Sequence, residues 1–507
     1  EHGVELWRSD GTEQGTVRVT EFGYHLPFGE FDVIHSQQIA EAAGGRIVFL
    51  ATDGVTGFKY WATSGTPEST AVVAAPCSSG KCQQDESLVL ASVGGRVVRT
   101  IDDAHSQGMA WSTDGTPGGT VQLADASMQS RPFALAGAVF FHSGGDLWRT
   151  NGRPEGTRRF ADLPHLTRPP FDPQEMVSFG GRICFNLDGP YGEELWGSDG
   201  SPGGTALVAD LLRPSSSGSG PHGLTAFNGR LLFFALQDRT TDLWQSSGTA
   251  ESTGPLGAVP TPPSGCSVTP LSSLLLAGGK AFFLRQDTSC RVSLWATDGT
   301  PAGTVQLPGD IASTPQDPFR PIAHQGRLFF LAQEGDSTAI WKSDGTAQGT
   351  GRAFDLPAGV LAPSALTSVG PDLYFAALDA EGRKQVWRSD GTTAGTKRLT
   401  SFDEEHQALS PTPQFTRVGN TVFFRTSDPD FFFDFGGLGA TDGTLAGTRE
   451  ILAPFSSGSA PQGLIAFKGA LYFFLEKGGT DEAPWALWRS NGTVEGTVPV
   501  RALGYHD

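Results

Sequence analysis

Glu194-Leu195-Trp196-Gly197-Ser198-Asp199-Gly200-Ser201-Pro202-Gly203-Gly204-Thr205 is one occurrence of a dodecamer that returns from one end of the chain to the other. Its tryptophan column reads Trp7, Trp61, Trp111, Trp148, Trp196, Trp244, Trp295, Trp341 and Trp387, breaks at Gly439, and resumes at Trp488. Intervals run from 37 residues, between Trp111 and Trp148, to 54, between Trp7 and Trp61. One supersecondary unit has therefore been tiled eleven times. Each tryptophan is expected to anchor the core of its unit, because burying an indole removes roughly 150–250 Å² from water.

A well-formed unit, 221–258, shows the layout. Residues 224–227 read as a strand, Asn228-Gly229 as a hairpin turn, and 230–236 as a second strand. A third begins at 242–245, and the Ser-Gly-Thr turn leads to a fourth ending near 259. Labelled a, b, c and d, they make an antiparallel meander. Strand b is apolar at consecutive positions, as in Leu231-Leu-Phe-Phe234 and Leu471-Tyr-Phe-Phe474, so it must be covered on both faces. Small sheets stacked face to face supply that cover, which is the arrangement of a β-propeller. The expected fold is all-β, a propeller of about ten to eleven four-stranded blades; an open solenoid of the same sheets is the alternative. Residues 1–20 form a c–d pair with no a–b pair before it, so there are eleven c–d hairpins and ten a–b hairpins. The expected organisation is a single array over 1–507, a half-blade at 1–20 followed by ten repeats, with two tandem propellers at about 1–253 and 254–507 as the alternative.

The c–d turn, Ser-Asp-Gly-Thr-x-x-Gly-Thr, has a local reason for each residue. Asp and Ser accept N–H groups of their own turn, Gly supplies positive φ, and Thr returns the chain to extended structure. Ser64, Asn151, Ser247 and Asn491 replace the Asp in other units and keep an acceptor without the charge, which argues for a structural turn over a calcium ligand. The repeat Glu-Leu-Trp-x-Ser-Asp-Gly-Thr-x-x-Gly-Thr resembles that of the bacterial ELWxxDGT repeat family over essentially the whole chain. The Ser/Gly-rich connectors at 214–220 and 455–460 belong to the same resemblance. It implies a secreted or surface-attached bacterial protein and brings no established activity with it. The turn also resembles the Asp-box of sialidase propellers, but no arginine triad with a Tyr/Glu pair can be assembled from the six tyrosines.

Charged residues make up only 18% of the 507-residue chain, and 67 glycines fit a turn-rich β protein. A formal charge of −18 repels phosphate backbones and anionic membranes, which excludes nucleic acid as the expected partner. No apolar run is long enough for a spanning helix. The start at Glu1, without Met, leads us to expect a processed or trimmed amino end. Among five cysteines, Cys77 with Cys82 and Cys266 with Cys290 are expected to form disulfides, with Cys184 a buried thiol. That points to an extracellular or envelope location.

In the meander the b–c and d–a loops share one end of the blades and carry nearly all the length variation. Binding is therefore expected there. The sharpest outlier is Asp428, Asp430, Phe431, Phe432, Phe433 and Asp434, in the b–c loop of the unit that has lost its tryptophan. The phenylalanines read either as refilling the space vacated at Gly439 or as an aromatic, acidic patch for a protein or glycan. No zinc-protease, nucleophile-elbow or phosphate-loop motif is present, and no cofactor or metal is expected. The functional expectation is a binding or scaffold propeller recognising a protein partner or surface glycan. The alternatives are a polysaccharide-acting hydrolase or lyase, or a structural subunit assembling through the amino-terminal half-blade.

Overall fold

The computed structural model describes residues 5–21, 34–52, 58–74, 91–102, 108–126, 132–135, 137–143, 146–162, 176–189, 192–201, 203–211, 218–237, 240–256, 274–286, 292–311, 320–403, 408–410, 413–427, 436–453, 460–476 and 485–504. Among them the only helical pieces are four 3₁₀ turns of three residues each. An amino-terminal hairpin pairs Trp7–Arg8 with Val17–Arg18. Ten antiparallel meanders follow, blades 1 to 10: 34–74, 91–124, 133–162, 176–209, 222–255, 275–306, 310–352, 361–398, 408–452 and 462–504. In blades 7 and 9 lane a is split into two short pieces that pair with the same strand b. The fold is all-β and of the β-propeller class, built from four-stranded antiparallel blades.

The chain groups into two compact units, Glu1–Arg8 with Val17–Val259, and Ser9–Thr16 with Pro260–Asp507. Within each unit, consecutive blades share hydrophobic clusters. Phe140, Leu147 and Phe160 of blade 3 pack on Ile183, Phe185 and Trp196 of blade 4. In the second unit, Phe329, Ile340 and Phe354 of blade 7 pack on Leu373, Phe375 and Trp387 of blade 8. Strand b explains why its apolar residues are consecutive: Phe233 and Leu232 point to opposite faces, and both are fully buried. The tryptophans of strand c reach back to the preceding blade. Trp196, Trp244, Trp387 and Trp488 are buried and the others of the column half-buried.

Blade 5 shows how closely the local rules hold. Its strands are His222–Phe227, Arg230–Gln237, Thr240–Ser246 and Gly254–Pro255. Asn228 and Gly229 take φ of +46° and +72°, the two positive values of a type I′ turn. Strand d is shorter than the reading to 259. The N–H of Leu256 still donates to the Leu243 carbonyl at 2.8 Å, so the pairing continues past Pro255, and 257–259 lie outside the described residues.

The c–d turns close on their own side chains. In blade 2, Asp114 Oδ1 accepts from the Thr116 N–H at 2.9 Å and the Thr116 hydroxyl at 2.7 Å. Thr116 Oγ1 accepts from Gly119 N–H at 2.9 Å. Where Ser64 and Ser247 stand in for Asp, the hydroxyls of Ser69 and Ser252 accept from their N–H groups instead. Asp10, Asp114, Asp199, Asp298, Asp344, Asp390 and Asp442 are all held below the ordinary carboxylate range, first of all by the hydroxyl two residues on. A depressed folded-state pKa contributes stability above the unfolded-state value, and that stability is lost as pH falls through the folded value. Unfolding midpoints should therefore drop through the acid range below the ordinary Asp value. Thr116→Val should cost about 1 kcal/mol at neutral pH, and its deficit against wild type should shrink in acid. Denaturant titrations at stepped pH check both; an acid-independent deficit would remove the carboxylate from the account.

Candidate functional site

In every intact blade but blade 2, where Arg99 stands opposite Trp111, the strand-c tryptophan lies opposite a strand-b phenylalanine in register. Phe233 faces Trp244 with ring centroids 6.4 Å apart, and Phe473 faces Trp488 at 6.2 Å, both stacked. The indole fills the gap between its own strand b and strand d of the preceding blade. Trp244 shares a hydrophobic cluster with Val208 of blade 4, and Trp488 one with Ile451 of blade 9.

Blade 9 keeps the phenylalanine and loses the indole: Phe424 pairs with Gly439. Phe424 has closed over the vacated position. A Cβ on Gly439 would fall well inside contact distance of its ring, so any residue but Gly requires that ring to move. Phe424 then packs on Phe415 at 6.2 Å, which in turn meets Tyr374 of blade 8 at 5.6 Å. What Phe424 does not fill remains as a cavity of about 300 Å³. Leu399 and Phe402 of blade 8 and Phe424 and Leu445 of blade 9 give it apolar walls, and Thr426, Arg449 and Glu450 give it polar edges.

The polar edges are ordered. Thr426 Oγ1 donates to Glu450 Oε1 at 3.2 Å, and Arg449 Nη2 donates to the Gly492 carbonyl of blade 10. Thr400 and Thr448 also line the cavity, but their hydroxyls are committed elsewhere, to Gln385 Oε1 at 2.8 Å and the Thr444 carbonyl at 2.6 Å. Leu445, 48% exposed, stands at the mouth. Apolar walls with few fixed polar groups at the rim are the composition of a small-molecule site.

Asp428, Asp430, Phe431, Phe432, Phe433 and Asp434 lie outside the described residues. Their loop is anchored at this site all the same. Thr426 and Gly437 exchange backbone hydrogen bonds of 3.1 Å in both directions, so the loop leaves and re-enters at a residue that lines the cavity. Among the described residues, the gap left by the missing indole is divided between Phe424 and open space. The break in the tryptophan column at Gly439 pointed to the cavity; its lining from blade 8 carried no signal of its own.

The remaining candidates resolve differently. Cys77, Cys82, Cys266 and Cys290 lie outside the described residues. Cys184 is a buried thiol in the blade 4–blade 5 core, pushed up to about 11 by burial and so unreactive at neutral pH. Among the described residues no three His, Cys, Asp or Glu side chains gather as a metal site, and no helix is long and apolar enough to cross a membrane.

A role that the sequence did not disclose belongs to the Glu of Glu-Leu-Trp. Glu194, with no exposed surface, accepts from the Leu211 N–H at 3.1 Å and from the Ser219 N–H and hydroxyl at 3.1 and 2.7 Å. It ties the end of strand d and the returning connector to strand c. Gln385 does the same in blade 8 through Thr400 Oγ1 and Phe402 N–H, at 2.8 and 2.9 Å.

No family model matches the chain, and no curated protein matches it. Among solved structures it is similar to the tricorn protease, at 11% identity and a TM-score of 0.32 over 99% of this chain and 52% of that one. It is similar also to oligopeptidase B from Leishmania major, at 10% identity and a TM-score of 0.33 over 64% and 48%. A third likeness is to the Pyrococcus horikoshii acylaminoacyl peptidase, at 12% identity and a TM-score of 0.28 over 64% and 52%. The chain spans about half the length of these structures, and likeness of this degree brings no activity across to it.

Proposed function

We propose that this chain is a binding and scaffold propeller of the bacterial cell surface or extracellular space that recognises a surface glycan, with the blade 9 cavity receiving one sugar ring. The single observation behind the reading is that cavity: it sits where the repeat's anchor is missing, under the base of its most irregular loop. Its volume of about 300 Å³ suits one saccharide ring. The Phe402 and Phe424 edges offer apolar contact to the C–H face of the ring, while Thr426 and Glu450 offer an exchangeable donor and acceptor to its hydroxyls. The surface location rests on the resemblance of the repeat to the ELWxxDGT family.

Gly439→Trp is the decisive variant. Phe424 should swing back to the stacked position that Phe233 and Phe473 hold in blades 5 and 10, and the indole should fill the cavity. The stability of the second compact unit should rise by about 2 kcal/mol, a fraction of the gross burial of an indole, while glycan binding falls at least tenfold. Ligand-observed NMR with mono- and oligosaccharide panels, run beside thermal unfolding, reads both. A wild-type protein silent to every saccharide at millimolar concentration, or a Gly439→Trp protein that binds as well as wild type, sinks the reading.

A further inference from the structure

The outer face of blade 10 leaves large apolar side chains exposed. Blade 4 shows what such a face normally carries. Cys184, Leu195 and Val208 are covered by Leu231, Phe233 and Ala235 of the next blade's strand b, with Leu224 of its strand a packed alongside. On blade 10 the matching positions are Tyr472, Leu487 and Val500, which with Ala470 form a small cluster of their own. Around it Ile465, Phe467 and Phe474 are 60%, 42% and 44% exposed. Ile465 pairs with Tyr472 and Phe467 with Ala470 across strands a and b, and Phe474 lies two residues beyond Tyr472 on strand b, so all of them share one face.

A second observation says what belongs there. The Ser9–Thr16 turn, which groups with this unit, rests on blade 10: Tyr472 Oη donates to the Gly11 carbonyl at 3.2 Å and Lys468 Nζ to the Asp10 carbonyl at 3.4 Å. Elsewhere a c–d turn sits on the blade before it in the same manner, with Arg388 Nη1 of blade 8 donating to the Gly443 carbonyl at 3.2 Å. Arg149 Nη1 of blade 3 donates likewise to Gly200 at 3.1 Å. In those places the same face also carries the a–b strands of the turn's own blade. On blade 10 the turn is present, and among the described residues of this unit no a–b strands accompany it. Among the described residues ten a–b hairpins each have a place in a blade, against eleven c–d turns.

We propose that the exposed face of Ile465, Phe467 and Phe474 is occupied by a β-hairpin of the repeat's own a–b kind, supplied from outside these 507 residues. Such a hairpin has apolar side chains on both faces of its second strand, so one face can seat on blade 10 beside the Ser9–Thr16 turn.

The probe is a labelled synthetic peptide with the sequence of 222–237, added to the full chain. Saturable binding should appear, with slowed amide exchange over 465–474, and Phe474→Asp or Ile465→Asp should weaken it at least tenfold. Both variants change exposed residues and should unfold at the wild-type temperature. A peptide carrying Asp in place of Phe233 and Phe234 should not bind. To guard against an insoluble peptide, the same hairpin is fused ahead of Glu1, where it should slow exchange over 465–474 and raise the unfolding midpoint. Unchanged exchange over 465–474 in the fused protein overturns the proposal. So does peptide binding indifferent to Phe474→Asp, or self-association of the chain that Phe474→Asp abolishes, which would make the occupant a second copy.

Discussion

Replacing Gly278 with asparagine should cost about 3 kcal/mol, the upper end for forcing atoms into a packed site, whereas Gly180→Asn should leave stability within about 0.5 kcal/mol. Both glycines hold the first position of an a–b hairpin turn, with φ of +56° and +57°. Conformation alone does not demand glycine there, because Asn228, Gln325 and Lys468 occupy the same position with φ of +46°, +47° and +45°. The two sites differ in what lies beyond them. A Cβ on Gly180 meets nothing within 4 Å, while one on Gly278 falls on the carbonyl oxygen of Gly326, the hairpin turn of the next blade. Backbone has no rotamer by which to withdraw, so blades 6 and 7 must part. Hydrogen exchange over strands 280–286 and 327–334 reads the loss locally, which suits a chain of two compact units better than one global midpoint. Equal effects at the two sites would show that backbone conformation, not the approach of blades, sets the cost.

That pair of glycines also marks how far the sequence can be read. The repeat period, the hairpin turns and the double-sided strand b follow from short-range rules, and the blades form where those rules put them. Asn228-Gly229 names its own turn type. Gly278 and Gly180 look alike in sequence, and only the register between neighbouring blades tells them apart. The same limit governs the candidate site. The break at Gly439 is visible in the column, but Phe424 is one of many strand-b phenylalanines, and nothing in the sequence says that it alone has swung across an empty position. Leu399 and Phe402 belong to the preceding blade, roughly forty residues away, and become cavity walls only through face-to-face packing. Side chains that act across blades are the ones the sequence hides.

Glu194→Ala should be the costliest of the polar changes, about 3 kcal/mol, because it leaves buried donors without an acceptor. The Leu211 N–H and the Ser219 hydroxyl lose their partner outright, while the Ser219 N–H keeps the Glu193 carbonyl at 2.9 Å. The connector loses its tie on both sides, since the Ser219 carbonyl also accepts from Leu236 of blade 5 at 2.7 Å. Ser219→Ala, which removes one donor together with its need, should cost about 1 kcal/mol. Charge separates packing from electrostatics. Burial holds the Glu194 carboxyl above the ordinary glutamate range, against the opposing hydrogen bonds from Ser219 and Leu211. Between the unfolded-state value and that raised value the folded protein keeps a proton the unfolded chain has released, so this residue makes stability fall as pH rises through the window. The turn aspartates act in the opposite sense and only below their ordinary range, so the two effects occupy different parts of the pH scale. Glu194→Gln keeps one acceptor and cannot ionise: it should lose less than Ala and narrow its deficit against wild type as pH rises above the ordinary Glu value. Denaturant unfolding of wild type, Ala and Gln variants at pH steps from 4 to 8 decides it. A Gln deficit that widens between pH 4 and the ordinary Glu range would mean that the carboxyl is ionised in the fold throughout, its hydrogen bonds outweighing burial, and a constant deficit would mean that folding leaves its pKa unchanged.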